Sequence, residues 1–286
     1  MLHVNSDWNL HATFFINPNY FSYTAMFYNG GVWRKKKFVI KDDWFMKIKS
    51  LGPRSIVISF PELDQINLLA IYGEKFTYLC DTYLGPDPME QLKKVFRRDG
   101  RNQPIIVFNS HWDWDHIWGN CAFADSMIIA HKKCRENLEK GFWSELNKNK
   151  QYARGEVKPV FPNILFEKRL TFMEDGVEFF YSPGHTADSA SCYDKKENIL
   201  YVGDNVEFPI PYIQDKDLKH YINTLKMYLN LNPRYIITGH GENASIELIK
   251  SNLEYVKKLY QGINIDQSNW SSDMKERHLA NMDKLK

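Results

Sequence analysis

The chain has 286 residues, 43% hydrophobic and 25% charged, a globular composition with ample surface to bury in a core. Its formal net charge of +2 gives no electrostatic case for nucleic acid or an acidic surface as partner. No apolar run approaches the ~20 residues needed to span a bilayer, the start lacks a basic region followed by an apolar one, and Cys80, Cys121, Cys134 and Cys192 form no Cys-x-x-Cys pair. A cytoplasmic protein with free thiols is therefore expected, with no membrane partner.

Residues 1–54 are rich in aromatic side chains, including Phe14-Phe15, Tyr20-Phe21 and Phe27-Tyr28. Short strands with a turn at Asn29-Gly30-Gly31, packed on or covering the core, are the reading. Strands follow at Ile56–Phe60, Ile66–Tyr72 and Phe76–Cys80, the last ending at Asp81. Pro86–Arg98 is a helix, with Met89, Leu92 and Val95-Phe96 spaced three to four apart. Ile105–Phe108 is a buried strand and Met127–Ala130 another. His131–Asn147 is a helix with Cys134, Leu138 and Phe142 on one stripe. Residues 148–165 read as a loop. Further strands are expected at Leu170–Met173, Val177–Tyr181, Ala190–Tyr193, Ile199–Val202 and Tyr235–Ile237. Helices are expected at Leu218–Leu229 and Ser245–Gln261. The last segment, 266–286, reads as a polar tail. Strands mixed with helices make this a mixed α/β chain.

The densest chemistry follows the Ile105 strand, in His111-Trp112-Asp113-Trp114-Asp115-His116. Four potential metal ligands fall within this stretch. In an extended segment His111, Asp113 and Asp115 share one side, while Trp112 and Trp114 can anchor the other. A helix beginning near Ile117 would turn His116 toward them. Three later stretches repeat one form, a strand and then a tight polar turn bearing one ligand beside glycine: Gly184-His185, Gly203-Asp204 and Gly239-His240. Cys121 reads as a small buried residue, and His131 and His220 as structural or surface histidines.

Across roughly residues 55–262 this pattern resembles the metallo-β-lactamase superfamily, whose first motif is His-x-His-x-Asp-His. The resemblance implies a four-layer αββα sandwich, assigned to 55–265, with two divalent metal ions (zinc, iron or manganese) at one edge of the sheets. Carried over by position, His111, Asp113 and His185 would hold metal 1. Asp115, His116 and His240 would hold metal 2, with Asp204 bridging. Asp81 would brace the ligands from behind. Asp113 departs from the motif, where histidine is usual. The extra carboxylate donates more charge to the metals and favours iron or manganese over zinc.

The resemblance implies a metal-dependent hydrolase acting through an activated water on an ester, thioester, lactone or phosphoester, with Asp115 orienting the nucleophile. Phe208-Pro209-Ile210-Pro211-Tyr212 would wall the mouth, and Tyr212 would serve substrate binding as an oxyanion donor. Asp113 motivates an alternative, an iron-containing oxidoreductase acting on dioxygen, nitric oxide or a sulfur substrate. A non-catalytic binding protein with a degenerate site is the third reading. The expected partner is a small-molecule substrate and not nucleic acid; the sequence gives no oligomeric state.

Overall fold

The computed structural model describes the backbone of Ser22–Asn29 and Val32–Val39, together with residues 46–242 and 244–286. The chain divides into two compact units, Met1–Trp44 and Phe45–Lys286. In the first, β1 (Ser22–Asn29) and β2 (Val32–Val39) pair antiparallel, with Ser22 opposite Val39 and Asn29 opposite Val32. Gly30 and Gly31 of the expected turn, and Phe14, Phe15, Tyr20 and Phe21, lie outside the described residues.

The second unit begins with β3 (Lys47–Ser50), β4 (Ser55–Phe60), a distorted turn α1 (Glu62–Gln65), β5 (Ile66–Tyr72), β6 (Thr77–Cys80) and α2 (Pro86–Arg98). It continues through β7 (Ile105–Asn109), α3 (Trp114–Ile117), β8 (Met127–His131), α4 (Lys132–Asn149) and β9 (Ile164–Phe166). These strands form one seven-stranded sheet in chain order, antiparallel from β3 to β6 and parallel from β6 to β9. The chain then enters β10 (Arg169–Phe172), β11 (Val177–Tyr181), β12 (Ala190–Asp194), β13 (Ile199–Gly203), α5 (Leu218–Leu231), β14 (Tyr235–Thr238), α6 (Ile246–Gln261) and α7 (Ser272–Leu285). Strands β10 to β14 make a five-stranded sheet, parallel only between β13 and β14.

The apolar runs explain the layering. Alternate residues of a strand face opposite sides of its sheet, and here both sides are covered. Leu69, Ile71, Tyr78, Cys80, Ile106 and Phe108 meet Val177, Phe179, Cys192, Ile199 and Tyr201 between the sheets. Their neighbours Leu68, Ala70, Leu79 and Val107 face outward onto Met89, Leu92 and Phe96 of α2. Leu200 and Val202 likewise face Tyr221, Leu225, Ile249 and Leu253 of α5 and α6. The result is a four-layer αββα sandwich, and it accounts for strands that read as continuous apolar runs rather than alternating ones. No helix among the described residues is long and apolar enough to cross a membrane.

Three expectations change. The boundary at 54/55 falls inside the seven-stranded sheet, because β3 pairs with β4 from Lys47 opposite Ser59 to Ser50 opposite Ile56. The stretch read as a polar tail carries α7, which buries His278 and Asn281. His131, read as the first residue of a helix, is the last residue of β8; it is a structural histidine as expected, buried, capping α4 through Lys133 N at 3.4 Å and stacking on Tyr181 with ring centroids 4.0 Å apart.

One ion pair joins the two sheets at the end away from the ligand cluster. Arg54, just before β4, reaches Asp194 at the end of β12 through Nε at 3.0 Å and Nη2 at 2.5 Å. Asp194 is fully buried and also accepts from Lys196 N at 2.9 Å. Arg54→Ala leaves that carboxylate without its counter-charge, so a loss of about 3 kcal/mol is expected. The thermal midpoint should fall by roughly 6–12 °C at ~2–4 °C per kcal/mol. A variant melting within a degree of the parent would show that this pair does not hold the sheets together.

Candidate metal centre

The ligand candidates stand on the loops that leave the strands at one edge of the sandwich. His111 stands two residues beyond β7, Asp113 is the N-cap of α3, and Asp115 and His116 lie within that helix. The helix thus begins at Trp114 and not near Ile117. The early turn is what lets adjacent residues Asp115 and His116 both face the cluster. Trp112 and Trp114 do anchor the stretch, packing against the apolar cluster that Ile117 and Trp118 form with Cys134, Leu138 and Phe142 of α4. His185 follows β11, Asp204 follows β13 and His240 follows β14. Two glycines permit the approach. Gly203 has φ +54°, and a Cβ on Gly239 would lie 2.0 Å from Asp204 Oδ1.

Asp204 is the centre of the arrangement. Its Oδ2 lies 3.7 Å from His111 Nε2, 3.4 Å from His116 Nε2, 4.0 Å from His185 Nε2 and 3.5 Å from His240 Nε2. On one side Asp113 Oδ2 is 3.6 Å from His111 Nε2 and 3.3 Å from His185 Nε2. On the other, Asp115 Oδ2 is 3.1 Å from His240 Nε2 and 3.8 Å from His116 Nε2. His111, Asp113 and His185 form one group able to hold a cation, and Asp115, His116 and His240 another.

Each imidazole is oriented from behind. Nδ1 of His116 faces Asp81 Oδ2 at 3.0 Å, that of His185 faces the Tyr212 carbonyl at 3.0 Å, and that of His240 faces the Leu63 carbonyl at 2.8 Å. These acceptors require a proton on Nδ1, so Nε2 is the nitrogen that each ring turns toward the centre. His111 Nδ1 meets Ser110 Oγ at 2.9 Å; that hydroxyl already donates to Asp81 Oδ2 at 2.6 Å, so it accepts from the ring. Burial opposes charge at the acids, yet His111 and His185 hold Asp113 well below the usual carboxylate range. Burial likewise opposes charge on His185 and His240, and the carboxylates overcome it: Asp113 and Asp204 push His185 up to about 10, and Asp204 and Asp115 push His240 up to about 9.

The donor set fits divalent cations. His111 Nε2 and Asp204 Oδ1 are buried and have no hydrogen-bond partner among the described residues. Buried polar atoms of this kind require a partner. Four imidazole nitrogens converge with three carboxylates, a mixture suited to zinc, iron or manganese.

Residues with no recognisable pattern in the sequence hold the rim. Asn205 accepts from His185 N at 2.8 Å and donates to the Ser182 carbonyl at 2.7 Å. Glu207 accepts from Tyr212 N at 3.1 Å and meets Arg277 of α7 at 3.3 Å. Asn281 of α7 accepts from Ile213 N at 2.9 Å and donates to the Pro211 carbonyl at 2.8 Å. The helix thereby pins the 207–214 loop. Tyr212 lines the cleft with Arg277 4.1 Å over its ring, and its contact with the cluster is made by its backbone carbonyl. Gln214 Nε2 donates to Asp113 Oδ2 at 2.8 Å. The cleft above the cluster has a volume of about 1520 Å³ and is walled by Leu63, Trp114, Phe208, Pro209 and Met274. Cys121 is half-buried and donates to the Trp118 carbonyl at 3.3 Å.

A four-layer sandwich with a histidine and aspartate cluster at the strand ends defines the class of this protein. The sequence model of the metallo-beta-lactamase superfamily matches residues 61–240, and the chain belongs to that superfamily. Solved structures share the fold at low identity. The metallo-beta-lactamase DIM-1 is 18% identical with a TM-score of 0.61, covering 75% of this chain and 97% of its own. FIM-1 from Pseudomonas aeruginosa, solved in a mono-zinc form, is 16% identical with a TM-score of 0.61, covering 75% and 96%. A metallo-beta-lactamase from Hirschia baltica is 15% identical with a TM-score of 0.56, covering 74% and 97%.

Proposed function

We propose that this protein is a metal-dependent hydrolase of small-molecule esters, thioesters, lactones or phosphoesters. The observation that carries the reading is the position of Asp204 Oδ2, within 4.0 Å of Nε2 of all four histidines. His111, Asp113 and His185 would hold one ion, Asp115, His116 and His240 the second, and Asp204 would lie between. Two bound divalent ions would make hydroxide available near neutral pH and polarise a carbonyl or phosphoryl oxygen. Asp115 lines the cleft as a carboxylate and orients a proton of the attacking water. Asp81, Ser110 and the Tyr212 carbonyl fix the ring orientations. Tyr212 also offers a phenol at the cleft wall for substrate binding.

A neutral or modestly charged substrate suits the cleft better than nucleic acid. Asp64, Glu207, Glu242, Asp273 and Glu276 line it in addition to the ligand acids, against Arg277 and Lys284. Such a rim repels a polyanion. A small substrate turned over in the cytoplasm, without a membrane partner, is the setting we propose.

The aspartate at position 113 adds a hard oxygen donor and favours iron or manganese over zinc. It also supports a second reading, an iron-containing oxidoreductase. Elemental analysis of protein purified without added metal, combined with assays on simple esters, tests both. Two ions per chain and ester turnover are expected. Asp113→His should shift the bound metal toward zinc. Less than one ion per chain would remove the hydrolase reading, and bound iron without hydrolysis of any ester would favour the redox one.

A further inference from the structure

Gln214 occupies a position that the ligand motifs do not assign. Its backbone is fixed to one of the candidate ligands, since Gln214 N and Asp215 N both donate to the His185 carbonyl, at 2.8 and 3.2 Å. The residues before it are held by Glu207 and by Asn281 of α7, at Tyr212 N and Ile213 N. The reach of its side chain is therefore set by a rigid loop. That side chain ends 2.8 Å from Asp113 Oδ2 and 3.2 Å from His185 Nε2. Asp113 Oδ2 and His185 Nε2 are themselves 3.3 Å apart, and Asp113 Oδ2 and His111 Nε2 are 3.6 Å apart. Four donors arranged tetrahedrally at ~2.0–2.1 Å from a cation stand about 3.3 Å from one another. The amide of Gln214 thus lies at ligand-to-ligand spacing from Asp113 and His185, at a further corner of the group they form with His111.

We propose that Gln214 is a further ligand, beside Asp204, of the metal held by His111, Asp113 and His185, binding through its carbonyl oxygen Oε1. The inference rests on the metal-centre reading above. As placed, the amide turns its NH2 toward the Asp113 carboxylate, which is the favourable arrangement for a donor facing an anion. The two ends of an amide are related by a half-turn about a broad, two-fold torsion. A cation accepts only the oxygen end, and amide carbonyls are established ligands for hard divalent ions. The resulting set of two imidazoles, the carboxylates of Asp113 and the shared Asp204, and one amide carbonyl is richer in oxygen than a three-histidine site. Gln214 would in this way deepen the preference for harder ions introduced by Asp113.

A competing role is that Gln214 only donates a hydrogen bond to Asp113, and the two roles predict opposite signs for one substitution. Gln214→Glu replaces the carbonyl with an anionic oxygen of the same reach. A ligand at that corner would bind tighter; a carboxylate that merely faces Asp113 would repel it and weaken the site. The experiment is titration of the full-length protein, stripped by chelator, with Mn²⁺ and with Zn²⁺ against a competing dye, for wild type, Gln214→Glu and Gln214→Met. Gln214 is exposed, and circular dichroism checks that each variant folds. The expected result is that one of the two bound ions is held about tenfold more weakly by Gln214→Met and more tightly by Gln214→Glu, with the other ion unaffected. Unchanged affinity in Gln214→Met, or weakening in Gln214→Glu, overturns the proposal while leaving the metal centre intact. Failure of the wild-type protein to bind two ions removes the centre itself, and the proposal with it.

Discussion

Asp81→Ala should lower the thermal midpoint by roughly 6–20 °C and weaken metal binding by about 10–100-fold. Asp81 is fully buried at the end of β6, with φ +64°. It accepts from Ser110 N at 2.7 Å through Oδ1, and through Oδ2 from Ser110 Oγ at 2.6 Å, Tyr201 Oη at 2.7 Å and His116 Nδ1 at 3.0 Å. One side chain thus ties β6 to the loop after β7 and to β13 on the facing sheet. Alanine removes the acceptor and leaves these donors buried, with Tyr201 keeping the Asn67 carbonyl at 3.1 Å and Ser110 Oγ keeping His111 Nδ1 at 2.9 Å. Breaking such a network costs about 3–5 kcal/mol, which sets the range of the midpoint at ~2–4 °C per kcal/mol. The effect on metal has a separate cause, because His116 loses the acceptor that fixes its tautomer and ring plane, and His111 loses it through Ser110. Thermal melts in chelator isolate the first effect, and metal competition isolates the second. Metal affinity equal to that of the wild type would show that the two imidazoles are oriented without Asp81.

Some of this architecture is legible in the sequence and some is not, for physical reasons. Ile105–Phe108 and Ile199–Val202 are recognisable because both faces of their strands are buried, so no polar residue interrupts them. The cluster residues are recognisable because they stand in the turns that follow such runs. Strand β3 leaves no such mark: Lys47, Ile48, Lys49 and Ser50 are all exposed on a sheet edge. Helix α7 looks like a tail because its buried residues, His278 and Asn281, are polar, and Arg277 and Asn281 hold backbone groups of the 207–214 loop. Gln214 and Asp113 are 101 positions apart, and Arg54 and Asp194 are 140 apart. Hydrogen bonds across such separations produce no periodicity. The start of α3 was displaced for a related reason. Alternation along an extended segment accounts for Asp113 but not for Asp115 and His116 as neighbours on one side, which needs a helical turn already at Trp114.

Asp204→Ala tests the centre at the residue that both halves share. The wild-type protein is expected to hold two ions per chain, and the variant one or fewer. Hydrolysis should fall by roughly a thousandfold, the equivalent of about 4 kcal/mol of transition-state stabilisation. The reason lies in the contacts. Asp113 approaches two of the cluster histidines and Asp115 two, whereas Asp204 Oδ2 approaches all four within 4.0 Å. Its second oxygen has no hydrogen-bond partner among the described residues, so no framework contact is lost with it. This separates it from Asp81, which is bound to the framework through both oxygens. In chelator, Asp204→Ala should therefore destabilise the protein less than Asp81→Ala does. In excess metal the order of effects changes. Ligand binding raises stability by RT ln(1 + [L]/Kd), about 2.7 kcal/mol at a hundredfold excess over Kd, and the wild-type midpoint should rise by roughly 5–11 °C. The Asp204 variant should gain less than half of that. Two tightly held ions in Asp204→Ala, with a full metal-dependent rise in its melting temperature, would mean that the two groups bind metal independently and that no shared carboxylate joins them.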